Sequence, residues 1–355
     1  MSKLQVVVGG QFGSEAKGHV AAKLAEKAQQ EGNHVTGVRV AGPNAGHSAY
    51  DAQGRKWALR TIPVMGVTNL DAQLVIAAGS EIQLSVLTEE IAMLEAAGIP
   101  ISNRLSIDPQ ATVLTQEHIQ RETEKSMHQR LGSTGKGVGA ARADRIMRAA
   151  PLWETVAHHF PAIQTCDTAT FLAANLKVSN LTVILEGTQG YGLGLHAGFY
   201  PYCTSSDCRA IDFLAMAGIN PWQAGVDLET WVVMRTFPIR VAGTSGPLHQ
   251  EVTWDQLAEE SGGYIQPEFT TVTKKMRRVG RWDAELAQKA VEANGVDTVR
   301  IAMMFLDYLQ PNLAGSYDED DFTEETTQWL QQAQQDCLGR PVSYAGTGPN
   351  TGVWD

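Results

Sequence analysis

Leu4-Gln-Val-Val-Val8, followed at once by Gly9-Gly-Gln-Phe-Gly-Ser-Glu-Ala-Lys-Gly18, is the stretch that decides the fold. A short β-branched run passes into a glycine loop, and the loop passes into an Ala/Lys/Glu-rich helical segment from Lys17 to about Gln30. His34 to Val40 then reads as a second strand. The alternation recurs along the chain. Leu74 to Ala78 precedes a helix near Gln83 to Ala97, Leu181 to Leu185 follows one near Ala169 to Lys177, and Val299 to Phe305 follows one near Ala284 to Ala293. Strands alternating with helices predict an α/β fold with a mostly parallel central sheet flanked by helices. Such sheets take their ligands at the carboxyl ends of the strands.

No fixed-period repeat, low-complexity tract or Pro/Gly/Ser-rich linker divides the 355 residues, so residues 1–355 are expected to form one elaborated domain. With 28 Lys+Arg against 39 Asp+Glu the formal net charge is −11. An acidic surface repels a phosphate backbone, which argues against nucleic acid as a partner and leaves small anionic ligands in a local pocket. Hydrophobic residues make up 43% and charged residues 19%, the balance of a chain with a large buried core. No apolar run is long enough for a membrane span and the apolar stretch at the N-terminus is too short for export, so a cytoplasmic location is expected. The four cysteines, Cys166, Cys203, Cys208 and Cys337, are too scattered for a disulfide framework or zinc cage, and read as small hydrophobes.

The glycines cluster in loops that follow strand-like runs: 9–18, 42–46, 132–139, 186–198 and 346–352. In the first, backbone N–H groups and a helix N-terminus would face an anion, with Lys17 adding a point charge. The spacing is not that of a standard phosphate loop, which would need Gly at Ala16 and Ser or Thr at Gly18. A tight structural turn is the competing reading, and it is the preferred one for 135–139 and 190–194. The second loop, Gly42-Pro-Asn-Ala-Gly-His47-Ser, should lie beside the first, where His47 is placed either to give a proton to an oxygen or simply to hydrogen-bond within its loop. His158 and His159 read as surface residues. Thr270-Thr-Val-Thr-Lys-Lys-Met-Arg-Arg-Val-Gly280 sets hydroxyls beside cations, the makings of a carboxylate or phosphate clamp or else of a solvated charge run.

Taken in order, these loops resemble the adenylosuccinate synthetase family. Gln11-Phe-Gly-Ser-Glu-Ala-Lys-Gly18 is similar to that family's Gln-Trp-Gly-Asp-Glu-Gly-Lys-Gly, and Asn44-Ala-Gly-His47 to its Asn-Ala-Gly-His. Gly132-Ser-Thr-Gly-Lys-Gly-Val-Gly139, Glu186-Gly-Thr-Gln-Gly190, Tyr200-Pro-Tyr-Cys-Thr-Ser-Ser206, Thr271 to Gly280 and Gly346-Thr-Gly-Pro349 resemble further motifs of the family. The resemblance implies a fold related to the P-loop NTPases and a carbon–nitrogen ligase. Members join aspartate to the 6-position of a purine nucleotide after a nucleoside triphosphate has converted the 6-oxo group into a phosphate leaving group. It further implies a homodimer, Mg²⁺ as cofactor, and roles for individual residues. His47 would be the general acid at the 6-oxygen, with Ser14, Lys17 and Gln189 completing the catalytic set. The triphosphate would lie against Gly13, Ser14, Glu15, Ala16, Lys17, Gly18, Gly46, His47, Ser48, Phe305, Asp307, Gly346, Gly348 and Pro349, with Ser14 and the Gly46 carbonyl on Mg²⁺. The monophosphate would meet Ser14, Asn44, Ser133, Thr134, Gln189 and Thr204, with Arg148 reaching across a dimer interface. Aspartate would fall to Thr273, Lys275, Arg277 and Arg278.

Two departures from the family pattern bear on substrate choice. Ser14 stands where the family has the Asp that takes the purine N1 proton and binds the metal, and a hydroxyl is a poor base and a neutral ligand. A purine with a 2-amino group would crowd a carboxylate there, whereas serine leaves room. This resembles the phage branch with 2-aminoadenylosuccinate synthetase activity, which acts on dGMP on the way to the diaminopurine (Z) base. In Ala302-Met-Met-Phe-Leu-Asp307, Phe305 replaces the Lys that, with Asp, recognises guanine in members using GTP; ATP or dATP is the donor in the phage branch. An ordinary synthetase acting on IMP and a catalytically inactive nucleotide-binding relative stand as alternatives. Without the Asp, Glu15 and a bound water are both open as the acceptor of the N1 proton.

Overall fold

The protein is described by a computed structural model that covers residues 2–270 and 275–355. Ten strands form the central sheet: β1 (Ser2–Gly9), β2 (His34–Arg39), β3 (Gln73–Ile76), β4 (Leu105–Ile107), β5 (Gln164–Thr165), β6 (Leu181–Glu186), β7 (Val226–Arg235), β8 (Val299–Met304), β9 (Val342–Gly346) and β10 (Gly352–Trp354). Their order across the sheet is β10-β9-β8-β7-β1-β6-β2-β3-β4-β5. Every neighbouring pair is parallel except β9 with β10. The expected mostly parallel sheet is therefore present, and the helix α1 (Lys17–Gln30) has the bounds its composition suggests.

Because helices cover both faces, β1 has no polar side to show, and its apolar run is buried along its length. Val7 packs with Val20 and Leu24 of α1, while Leu4, Val6 and Val8 point the other way, into a second core with Ala287 and Val291 of the helix Ala284–Ala293. Burying each such side chain is worth about 1.5–3 kcal/mol. β7 carries more polar residues at its start, Asp227 and Glu229, and escapes the pattern that reveals the other strands. It nevertheless lies directly beside β1 over eight register positions.

A smaller antiparallel sheet, Ile239–Arg240 with Arg278–Gly280 and Glu251–Val252, rises from the end of β7 over its own core of Phe237, Ile239, Trp254, Leu257, Ile265 and Val279. β1 lies at the switch point of the sheet: the chain leaves it toward β2 on one side, where β6 later inserts between them, and later still places β7 on its other side. Such a crevice at the carboxyl ends is where the topology puts a ligand. No helix among the described residues is long and apolar enough to cross a membrane. His158 and His159 are exposed, as the sequence suggests.

Candidate active site

A cleft of about 1100 Å³ opens at the carboxyl ends of the central strands. The loops after β1, β2, β6, β7, β8 and β9 all contribute to it. Its walls hold Lys17, Lys56, Arg60, Lys275 and Arg277, so an acidic chain has gathered cations where an anion would enter.

The first loop owes its shape to left-handed backbone at Gly13, Ser14 and Ala16, with φ of 82°, 57° and 70°. Ala16 is the residue before α1 and supplies no side-chain cap. Other helices here are capped by Asp167, Thr253, Asp283 and Thr323. The first-turn amides of α1 are thus left to an outside partner, the arrangement that binds phosphate. Glu15 is fully buried beneath the loop. Its Oε1 accepts hydrogen bonds from the Gln11 and Gly13 amides at 3.1 and 2.7 Å, and its Oε2 accepts one from Lys17 Nζ at 2.5 Å. Both carboxylate oxygens are engaged with the loop itself, whereas Ser14 is exposed to the cleft. Gly190 must be glycine, since a Cβ there would come within 2.6 Å of Glu15 Oε1.

His47 opens the hairpin His47–Tyr50 with Lys56–Leu59 and packs against the start of α1. Gly18 permits that approach, since a Cβ at 18 would lie 2.7 Å from the His47 Cβ. Behind the imidazole, the β6–β2 register sets Glu186 opposite Arg39. Arg39 Nη1 donates to Glu186 Oε2 at 2.7 Å, and His47 Nδ1 lies 2.8 Å from the same oxygen and 2.5 Å from Arg39 Nη1. The other Glu186 oxygen accepts the Val64 amide. Burial first, and then the Arg39 charge, lower the His47 pKa to about 4, against the pull of Glu186. The ring is neutral at pH 7 with Nδ1 committed inward, which leaves Nε2 for the cleft.

On the far wall, Phe305 adopts φ of 65° and is covered by the Arg235 guanidinium 4.0 Å from its ring centroid. Arg235 is fully buried, pairs with Glu268 and donates to the Ser14 carbonyl at 3.1 Å, tying the end of β7 to the first loop. His19 joins α1 to the last glycine loop, with Nδ1 3.2 Å from the Pro349 carbonyl and Nε2 2.6 Å from the Tyr344 hydroxyl.

Of the residues singled out from sequence, the cleft brings together Gly13, Ser14, Glu15, Ala16, Lys17, Gly18, Asn44, Gly46, His47, Ser48, Ser133, Thr134, Gln189, Lys275, Arg277, Phe305, Asp307, Gly348 and Pro349. Gly346 ends β9 just behind Gly348. Thr204 stands outside the lining, its amide bonded to the carbonyl of Leu193, which does line the cleft. Arg278 is turned to Glu251, at 2.8 and 2.5 Å, and Arg148 is exposed away from the cleft. Thr273 lies outside the described residues. Arg39, Glu186, Arg235, His19 and Tyr264 belong to the site without having been expected there; only Glu186, at the head of a recognised motif, carried a signal.

Among the described residues no three His, Cys, Asp or Glu side chains form a ready metal cage. A serine hydroxyl at Ser14 and a carbonyl at Gly46 are neutral, hard oxygens on the cleft wall. They fit a Mg²⁺ that arrives on a triphosphate, whose own oxygens supply the negative ligands.

An uncapped phosphate-binding loop, a buried His–Glu–Arg group and a cationic cleft at the sheet's switch point define a nucleotide-dependent α/β enzyme. The adenylosuccinate synthetase family model matches residues 6–159 and 151–338. The chain is 35% identical over 347 residues to adenylosuccinate synthetase of Methanococcus aeolicus, covering 97% of this chain and 96% of that one. It is 34% identical to that of Thermococcus onnurineus, with 97% and 95% covered. Among solved structures, cyanophage S-2L succinoaminodeoxyadenylate synthetase bound to dGMP and dATP as an energy donor aligns with a TM-score of 0.79 at 27% identity, over 98% of this chain and 93% of that one. Fully ligated adenylosuccinate synthetase from Plasmodium falciparum shares the fold, with a TM-score of 0.80 at 20% identity and 99% of each chain covered. The chain belongs to the adenylosuccinate synthetase family of carbon–nitrogen ligases.

Proposed function

We propose that the chain, as a single domain over residues 1–355 and as a homodimer, joins L-aspartate to the 6-position of dGMP at the expense of ATP. The product is 2-amino-2′-deoxy-N6-succinyladenylate, a precursor of diaminopurine in phage DNA. The observation that carries this reading is Ser14, a small neutral side chain facing the cleft in the first loop, while the neighbouring carboxylate, Glu15, is buried under it. The 2-amino group of a guanine then meets a hydroxyl in place of a charged oxygen. The likeness to a phage enzyme bound to dGMP and dATP supports the same choice.

In this reading the loop amides and Lys17 hold the donor phosphates, Asn44, Thr134 and Gln189 hold the monophosphate, and Lys275 and Arg277 pair with the aspartate carboxylates. His47 turns its Nε2 toward the 6-oxygen; with Nδ1–H given to Glu186, that nitrogen becomes an acid only when the negative charge of the bound substrates draws a proton onto the ring, which Arg39 and Glu186 hold in place. Mg²⁺, held by the phosphates with Ser14 and Gly46, would offset charge on the transferring phosphoryl group. Direct removal of the N1 proton by Glu15 would require its bonds to Gly13 and Lys17 to open, which favours a bound water. Arg148 adjoins Ile146 and Met147, 70% and 73% exposed, an apolar strip that a second copy would cover while receiving Arg148 in its own cleft.

The test is phosphate release over IMP, GMP and dGMP against ATP and GTP, with aspartate and Mg²⁺ present. Activity highest with dGMP and ATP is expected. An ordinary synthetase acting on IMP is the second reading, favoured by the higher identity to the archaeal relatives than to the phage enzyme. No release with any pair would leave the inactive relative.

A further inference from the structure

One carboxylate on the cleft wall, Asp307, already has a partner from the protein itself. Asp307 Oδ2 accepts a hydrogen bond from the Tyr264 hydroxyl at 2.7 Å, and Oδ1 is buried with no hydrogen-bond partner among the described residues. The residue as a whole is only 5% exposed, while Tyr264 is 37% exposed and lines the cleft in front of it. Tyr264 arrives from a different element, the loop after the helix Trp254–Glu260, so no strand register obliges it to meet Asp307. Its ring stands edge-on to Tyr308 at 6.4 Å, and Tyr308 stands edge-on to Phe305 at 5.2 Å, which fixes the phenol over the carboxylate.

Guanine and adenine differ on the edge that would meet this wall. Guanine offers two adjacent donors, N1–H and the 2-amine, which match the two oxygens of a free carboxylate. Adenine offers one exocyclic amine beside an N1 acceptor. A phenol that has given its proton to a carboxylate has only an acceptor oxygen left.

We propose that Tyr264 selects the phosphate donor by masking Asp307, denying the carboxylate pair to guanine and presenting its own oxygen to the 6-amine of adenine. The inference rests on the reading that the donor's base lies against Phe305 and Asp307. It adds a positive selection to the loss of the guanine-binding Lys at Phe305, because an unmasked Asp307 would still attract guanine. Burial raises the Asp307 pKa above the usual carboxylate range, and Tyr264 is pushed up to about 12 by burial and by Asp307, which suits a phenol that keeps its proton for this bond.

The test compares wild type, Tyr264→Phe and Tyr264→Phe/Asp307→Ala. Dissociation constants for ATP and GTP are measured by calorimetry without aspartate, and kcat/KM for both donors with the better of dGMP and IMP as acceptor. Expected is an ATP preference in the wild type. In Tyr264→Phe the GTP-to-ATP ratio should rise about tenfold or more, the worth of a hydrogen bond to a charged group. The double variant should lose that gain. A ratio unchanged in Tyr264→Phe, or a gain that survives removal of Asp307, overturns the masking role while the donor assignment stands. A wild type that prefers GTP overturns the donor assignment itself. The binding constants decide the matter even if a variant turns over poorly.

Discussion

His47 Nδ1 lies 2.8 Å from Glu186 Oε2, and neither residue has more than 7% of its side chain exposed. One ring nitrogen is engaged by the protein, and in the proposed reaction the other meets the substrate. His47→Asn should therefore lower kcat by ~10²-fold or more, the range for a positioned acid, with dissociation constants for both nucleotides changed little. Glu186→Gln leaves Arg39 buried beside an uncharged partner, and should cost about 3–5 kcal/mol in urea unfolding. Turnover near wild type in His47→Asn would remove it from the chemistry.

Gly18 is the contact that lets the hairpin close on α1. Gly18→Ala would set a Cβ 2.7 Å from the His47 Cβ and 3.0 Å from the Ser48 carbonyl. Backbone cannot yield as a side-chain tip does, so a loss of about 1–3 kcal/mol is expected, together with a fall in kcat as His47 shifts. Thermal unfolding and steady-state rates of the variant check both; unchanged values would mean the hairpin is more pliant than its packing indicates.

Two buried histidines make stability depend on pH. His19 and His47 both have pKa values lowered from 6.5 to about 4, in each case by burial first. Above pH 6.5 both are neutral folded and unfolded, and the full stability is present. As pH falls from 6.5 toward 4, only the unfolded chain takes up these protons, so stability drops, by up to ~1.4 kcal/mol per pH unit for each group. Below about 4 the folded chain protonates too and the loss levels off. Urea midpoints at pH 7.5, 6 and 5 should show a shallower fall in His19→Gln than in wild type, and equal slopes would dismiss the His19 share.

Ser14→Asp should return a charged oxygen to the purine edge. Activity with dGMP should fall relative to IMP by ~1–3 kcal/mol, the range for one group's fit, read as the ratio of kcat/KM values with ATP and aspartate saturating. A wild type that prefers IMP, or a ratio that stays put in the variant, defeats the assignment of dGMP.

Arg148→Leu should weaken monophosphate binding while sparing ATP binding. Mixed with His47→Asn it should recover part of the lost activity, since a shared site allows one intact cleft in a hybrid dimer. Failure of the mixture to recover activity would confine Arg148 to its own subunit.

The sequence by itself determined the sheet's central strands and the loops at their ends. β1, β2, β6 and β8 are buried on both faces, which forces near-continuous apolar runs, and glycine is required where Gly13 turns left-handed or Gly18 admits His47. Those demands are local, so they are written in consecutive residues. β7 was hidden because its first half carries Asp227 and Glu229 near the sheet's rim. The tertiary structure alone decided what surrounds the chemistry. Arg39 meets Glu186 only because β2 and β6 pair in one register, across 147 residues of chain. Arg235 reaches Ser14, and Tyr264 covers Asp307, through loops that no periodicity connects. A buried charge or hydroxyl must find a partner wherever the fold supplies one, and which partner that is depends on packing between distant segments and on no spacing along the chain.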